Sequence, residues 1–384
     1  MYHDVDRPGA LPHPPGRPAP ACRGLLFVSA GFDLDGGGRA AAGRLLAGAC
    51  AGYARAHGLD FEALALGRRG GPGGTSYFQG RQAALALEAA RRQWRRRDLA
   101  LVFDLLGPAR IQAYLPASRR GPFLLPFYGL EIWHPLAWDR RRALNAAAVR
   151  FAISRYTLDR ARAVNPAMAE VIGPTPVVPL ALEERPAEGA VDAALLQRLG
   201  KGFLLIVGRM AAGERYKGHD QLLEALPDLP EARLVVAGDG DDRPRLAAHA
   251  ADLGLAHRVA FTGFVSEATL SELYRRCAAF VMPSLGEGFG LVYLEAMRAH
   301  KPCLAARGSA AEEVVVDGES GVLVRQDDHG ELVRALGSLL ARPEAARAMG
   351  EAGYRRWRAE LGLDRFQERL APLLDALTAA CAGS

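Results

Sequence analysis

A chain of 384 residues, 49% apolar and 24% charged, has the composition of a globular protein and room for two domains of ordinary size. No uninterrupted apolar run approaches the ~20 residues of a membrane span, and five scattered cysteines (Cys22, Cys50, Cys277, Cys303, Cys381) form neither a zinc motif nor a disulfide framework. A reducing, cytoplasmic setting fits that usage. Charge is uneven: residues 1–180 carry 24 arginines against 13 acids, and the remainder 24 basic residues against 30 acidic ones. A basic half suits an anionic membrane or simply a solvated surface, while nucleic acid is disfavoured because no basic segment is interleaved with stacking aromatics.

Residues 1–22 are proline-dense and lack an apolar core, so they read as a disordered leader and not as a signal peptide. GLLFVSA (24–30) then reads as a buried strand, followed by a loop with Gly36, Gly37 and Gly38 together and a helix over 40–57. The loop lacks the dinucleotide spacing GxGxxG; it is either a tight turn or a place where backbone comes close to a ligand. Further strands are predicted at 59–66, 99–104, 122–129 and 150–154, with a flexible loop after the first of them and helices at 81–97 and from Arg155. The prolines of 122–129 place that strand near an edge or at a strand end. The run RRQWRRR (91–97) closes a helix, where arginine suits the dipole; an anionic membrane surface is the sharper alternative.

Five prolines between 166 and 186 mark a boundary, giving a first domain over 23–180 and a second over 187–362. In the second, strands are predicted at 203–208, 233–238, 258–263, 278–282, 302–306 and 321–324, with helices at 328–341 and 344–359, and a further helix follows at 364–380. Strands alternating with helices argue for an α/β protein with doubly wound parallel sheets, whose ligands sit outside the carboxyl ends of the strands. Gly208-Arg209, Gly238-Asp239-Gly240, Gly263 and Glu287 all fall at such ends.

The most informative stretch is PSLGEGFGLVYLEAM (283–297). A strand runs into a turn with Gly286, Gly288 and Gly290, and a helix starts at about Gly290. Such a turn offers backbone N–H groups and a helix dipole to an anion. Glu287 precedes the helix and Glu295 lies roughly 8 Å along its axis from Gly290, a separation that suits a diphosphate with hydroxyl-rich groups at both ends. An acid at a helix N-terminus also has a purely structural explanation. Arg209 and Lys217, from neighbouring strand ends, favour the phosphate reading. His219 reads as a helix-start residue, Asp239 and Asp241 as turn and cap residues, and nothing resembles a magnesium-binding DxD pair.

With GRMAAGERYKGHDQLLEAL, LVVAGDGDD, RVAFTGFVS, PSLGEGFGLVYLEAM and EEVVVDGESGVLV in this order, the chain resembles the family-4 (group 1) retaining glycosyltransferases. The resemblance implies the GT-B fold, two facing Rossmann-like domains with a cleft between them, and a last helix (363–384) that crosses back to the first domain. It implies that Arg209 and Lys217 bind the donor diphosphate and Glu287 the donor sugar. Gly288, Phe289, Gly290 and Leu291 would meet sugar and distal phosphate, Glu295 the ribose, and Phe264 and Val265 the base. Gly36, Gly37 and Gly38 would line the acceptor side, with Glu131 an acceptor candidate. Many members carry a His-Gly pair facing the reacting sugar; here LPFYGLEIWHPL puts Tyr128 before Gly129, and His134 is six residues on. A phenol is a poor base at neutral pH but a good hydrogen-bond donor, so Tyr128 is expected to position substrate while the leaving phosphate takes the acceptor proton.

The expectation is a metal-independent, retaining transferase with no resident cofactor. It would move a hexose from a UDP- or GDP-linked donor to a glycan, lipid-linked or small-molecule acceptor, in the cytoplasm and with contact to an anionic membrane through the basic half. A nucleotide-sugar isomerase or hydrolase of the same fold, or a degenerate nucleotide-sugar-binding protein, are the alternatives.

Overall fold

The computed structural model describes residues 22–33, 37–182 and 187–381. Residues 1–21 of the expected leader, and Gly36, lie outside them. Among the described residues, twelve strands form two six-stranded parallel sheets. The first holds β1 (Gly24–Ser29), β2 (Asp60–Ala65), β3 (Ser76–Tyr77), β4 (Leu99–Phe103), β5 (Phe123–Phe127) and β6 (Val149–Ala152), in the order β3-β2-β1-β4-β5-β6. The second holds β7 (Leu204–Val207), β8 (Leu234–Ala237), β9 (Val259–Gly263), β10 (Ala279–Met282), β11 (Cys303–Ala306) and β12 (Gly321–Val324), in the order β12-β11-β10-β7-β8-β9. Each sheet therefore has the doubly wound Rossmann order, reversing direction beside its own first strand. One switch point lies between β1 and β4 and the other between β7 and β10. The strands read as unbroken apolar runs because helices cover both faces: β1, β4, β5, β8, β10 and β11 are buried along their whole length.

One local reading changes and another is narrowed. β3 sits in the stretch that reads as a flexible loop; two residues are too short for any periodicity, and its pairing of Ser76 and Tyr77 with Leu64 and Ala65 is a long-range event. β5 is an interior strand beside the edge strand β6. Of the two places expected for its prolines, the strand end holds: Pro122 precedes it and Pro126 is its penultimate residue. Its ladder to β4 ends at Leu124, so Pro126 lies past the last position where that neighbour needs a donor.

Close packing divides the chain into two units. The first contains the described residues up to Ala152, Ala161–Pro176 and the chain from Gln367 on; the second contains Ile153–Arg160 and Val177–Phe366. Ile153–Arg160 belongs with the second unit although it precedes the proline-rich stretch. Its hydrogen bonds show why: Ser154 Oγ donates to the Gly288 carbonyl (2.7 Å), and the Glu313 carboxylate accepts from the Arg155 and Tyr156 amides (2.8 and 2.7 Å). A distant acid thus satisfies amides at the start of helix Arg155–Val164. Helix Leu363–Ala380 reaches the first unit from Gln367, where Tyr53 donates to Asp375 (2.8 Å). All five cysteines are buried.

Candidate active site

The second unit's switch point is built from the loops after β7 and β10. Gly208 ends β7, and a Cβ there would lie 3.4 Å from the Lys217 Nζ, so the bare backbone leaves room for that amine. Lys217 closes the 3-10 turn Ala212–Lys217 with its side chain only 14% exposed, whereas that of Arg209 is 61% exposed. Glu214 holds both. Its carboxylate pairs with Arg209 and lies 2.9 Å from Lys217 Nζ. Burial pushes the Glu214 carboxyl up, but the hydrogen bonds from Arg209 and Lys217 outweigh it and hold the group below its ordinary range. The expected diphosphate cations are therefore brought together and pre-oriented by an acid not assigned from sequence.

Across the switch point, Ser284 is fully buried and its hydroxyl lies 3.4 Å from Glu287 Oε1. Burial pushes the half-buried Glu287 carboxyl up; Lys217 opposes this and Glu214 reinforces it. The turn needs its glycines. A side chain at Gly286 would enter the Tyr216 ring, and Gly290 has φ +95° with the Tyr293 ring where a Cβ would stand. Gly290 caps helix Leu291–Arg298. Tyr293 anchors that helix by donating to the Met282 carbonyl (2.6 Å), and Gln326 ties the two loops by donating to the Tyr216 and Pro283 carbonyls (2.7 and 2.5 Å). Gly288 lends its carbonyl to Ser154, and Phe289 is buried beside it.

Glu295 is half-buried, one turn into the helix. Tyr274 donates to it (2.8 Å), and burial keeps its carboxyl raised despite that bond. Both residues line an open cavity of about 350 Å³ with Arg275 and Arg298. Phe264 and Val265 follow β9, the edge strand two places from β7, and the Phe264 ring is 74% exposed. His219 does begin a helix; burial and then Lys217 lower its pKa to about 4, so it is neutral near pH 7. Asp239 and Asp241 accept from the Gly240 and Ala212 amides (2.9 and 3.0 Å), which are turn and cap roles.

In the first unit, the switch point holds a buried acid that sequence reading passed over. Asp104, directly after β4, accepts from Ser29 Oγ (2.6 Å) and the Ala30 amide (2.9 Å), and burial raises its pKa to about 7. Tyr128 is buried, its hydroxyl has no hydrogen-bond partner, and burial followed by the charges of Asp104 and Glu131 raises its pKa well above the usual value. Glu131 accepts from the Tyr128 and Gly129 amides (2.5 and 3.2 Å), so it braces the turn carrying Tyr128. Gly37 and Gly38 lie in the first turn of helix Gly37–Ala56, exposed, with open space where a Cβ would stand. His134 is exposed.

Some of what sequence reading missed was signalled. Glu214 stands three residues before Lys217, a spacing that pairs side chains on one turn, and Asp104 ends an apolar strand. Tyr274, Tyr216, Gln326 and Ser154 carry no local signal.

Comparison with known proteins places the chain in a family. Residues 191–356 match the family Glycosyl transferases group 1. A GDP-mannose-dependent alpha-(1-6)-phosphatidylinositol monomannoside mannosyltransferase of Mycolicibacterium smegmatis is 34% identical over 299 residues, 70% of this chain and 73% of that protein. Among solved structures, sucrose-phosphate synthase from Thermosynechococcus elongatus superposes with a TM-score of 0.73 at 19% identity, over 93% of this chain and all of that one. Anabaena HepE in complex with UDP superposes with a TM-score of 0.72 at 19% identity, over 92% of this chain and all of that one. Two Rossmann-order sheets, the strand-end loops and this relationship make the chain a member of the group 1, family-4 glycosyltransferases, with the GT-B fold.

Proposed function

We propose that the chain is a retaining, metal-independent hexosyltransferase that uses a UDP- or GDP-linked donor and a glycan, lipid-linked or small-molecule acceptor. The observation that carries this reading is the Arg209–Glu214–Lys217 cluster beside Glu287 and the Gly290 helix start. Arg209, Lys217 and the amides of Gly288, Phe289, Gly290 and Leu291 would take the charge that grows on the leaving nucleotide diphosphate. That charge is what a metal would otherwise neutralise. Glu287, held by Ser284, would orient the sugar hydroxyls, Glu295 the ribose, and the segment Phe264-Val265 the base. The bond from the anomeric carbon to the diphosphate oxygen breaks as the acceptor oxygen bonds on the same face, and the leaving phosphate oxygen accepts the acceptor's proton. Tyr128, neutral throughout the physiological range, would donate a hydrogen bond and not act as a base.

The mycobacterial relative's name favours a GDP-linked donor and a lipid-linked acceptor, and UDP-bound HepE favours a UDP-linked donor. The arginine-rich first half supports contact with an anionic membrane at the cytoplasmic face. The test is nucleotide release across UDP- and GDP-hexoses, with glycan or lipid-linked acceptors present or omitted and with excess EDTA, followed by NMR of the new anomeric centre. Acceptor-dependent release that EDTA leaves unchanged, with the donor's configuration kept, is the expected result. Inversion would overturn the retaining mechanism, loss of rate in EDTA the metal independence, and release independent of any acceptor the transferase assignment.

A further inference from the structure

The first unit carries a surface that none of the chemistry above uses. We propose that the face bearing Trp94, Arg119, Arg120, Trp138, Arg141 and Arg142 is the seat of an anionic phospholipid surface; this rests on the reading that the basic half meets a membrane and says where it does so.

Two of the four tryptophans, Trp133 and Trp357, are buried, but Trp94 is 51% exposed and Trp138 56%. Both exposed rings stand beside arginine. The Arg119 guanidinium lies over the Trp94 ring, 4.1 Å from its centroid. Arg120, Trp138, Arg141 and Arg142 line one open cavity of about 620 Å³. Arg119 and Arg120, consecutive in the chain, link the two groups in sequence. Helix Trp138–Ala146 is amphipathic in an unusual sense: Trp138, Arg141, Arg142 and Asn145 share one exposed face at spacings of three and four, while Ala143 and Leu144 are buried. Tyr114, itself exposed, packs edge-on against Trp138 at 5.3 Å and widens the aromatic rim.

The neighbouring acids do not neutralise this face. Asp139 is buried and accepts from Arg110 (2.6 Å), and Glu88 on helix Gln82–Arg95 binds Arg91 and Arg92. Exposed tryptophans among arginines suit the boundary between phosphate headgroups and acyl chains: indoles settle at that depth, and guanidinium forks bind phosphate oxygens. No helix among the described residues is long and apolar enough to cross a membrane, so the attachment is interfacial.

The full chain would be sedimented with vesicles of phosphatidylglycerol and phosphatidylcholine (1:1) and with pure phosphatidylcholine vesicles, while tryptophan emission is followed. We expect binding to the anionic vesicles alone, with a blue shift, and weakening at high salt. Arg141→Ala with Arg142→Ala should weaken binding about 25-fold, near fivefold per arginine at the surface. Trp94→Ala with Trp138→Ala should remove the blue shift. A charge-matched control on the second unit, Arg347→Ala with Arg355→Ala, should bind as the parent does. Both arginine pairs are on exposed helix surfaces, so folding is checked by an unchanged melting temperature. Absence of binding by the parent chain would overturn the membrane reading and this face together. Parent binding that survives the Arg141/Arg142 change, or falls equally in the control, would overturn this face alone.

Discussion

The two sheets have the same strand order, yet their switch points are furnished in opposite ways. Between β1 and β4 the crevice is closed by the protein's own groups: Asp104 is buried, bonded to Ser29 and the Ala30 amide, with the unpartnered Tyr128 hydroxyl close enough to feel its charge. Between β7 and β10 the loops bring paired charged side chains together. Arg209 is largely exposed, Lys217 reaches over bare backbone at Gly208, and Glu214 couples the two. An identical topology provides the location; the residues at the strand ends decide whether it presents cations or a buried acid.

The largest test of that contrast is Lys217→Ala and, separately, Glu287→Ala. Each should lower kcat/KM for nucleotide release by about 10²–10³-fold, with the melting temperature little changed. Full activity in both would mean that the β7/β10 crevice is not the donor seat.

The second test is of the proton at the β1/β4 crevice. Asp104 has a folded pKa of about 7, above its unfolded value of ~3.9. Between those values the native state keeps a proton that the unfolded chain has released. The stability this confers is complete below pH ~4 and is lost as pH rises through 7. Between pH 5 and 8 the loss is on the order of 2 kcal/mol. Glu131, also raised by burial, adds to the same slope. Asp104→Asn should flatten the pH dependence of denaturant unfolding over this range; an unchanged slope would show that Asp104 is ionised in the native state.

The smallest effect separates structure from substrate at Tyr128. Removing its unpartnered buried hydroxyl should make Tyr128→Phe more stable by about 1 kcal/mol, whereas loss of a hydrogen bond to substrate should slow transfer about tenfold. Opposite signs in the two measurements place the hydroxyl in the reaction; a stabilised variant at full rate would remove it.

Largely apolar runs of four to eight residues were enough to place eleven of the twelve strands, because strands covered on both faces announce themselves by composition. The exception, β3, has two residues and exists only through its partner β2. In the site, glycine-rich turns and strand-end cations were legible because backbone approach and anion binding restrict residue type locally. Asp104 was not singled out, since an acid after a strand is also ordinary turn chemistry; only the hydroxyl and amide folded around it mark it as special.

The sequence alone thus determined the fold class, the relationship to the glycosyltransferases and the loop that begins at Pro283, all of which rest on patterns within a few turns or strands. Tertiary structure decided which distant groups complete those patterns. Glu313 captures the helix start at Arg155, Gln326 joins the Tyr216 and Pro283 loops, and Tyr274 orients Glu295. It also set Trp138 beside Arg120 on an exposed face. Hydrogen bonds and ring contacts between residues far apart in the chain leave no periodic trace, because they depend on where the packed helices bring each side chain and not on what its neighbours are.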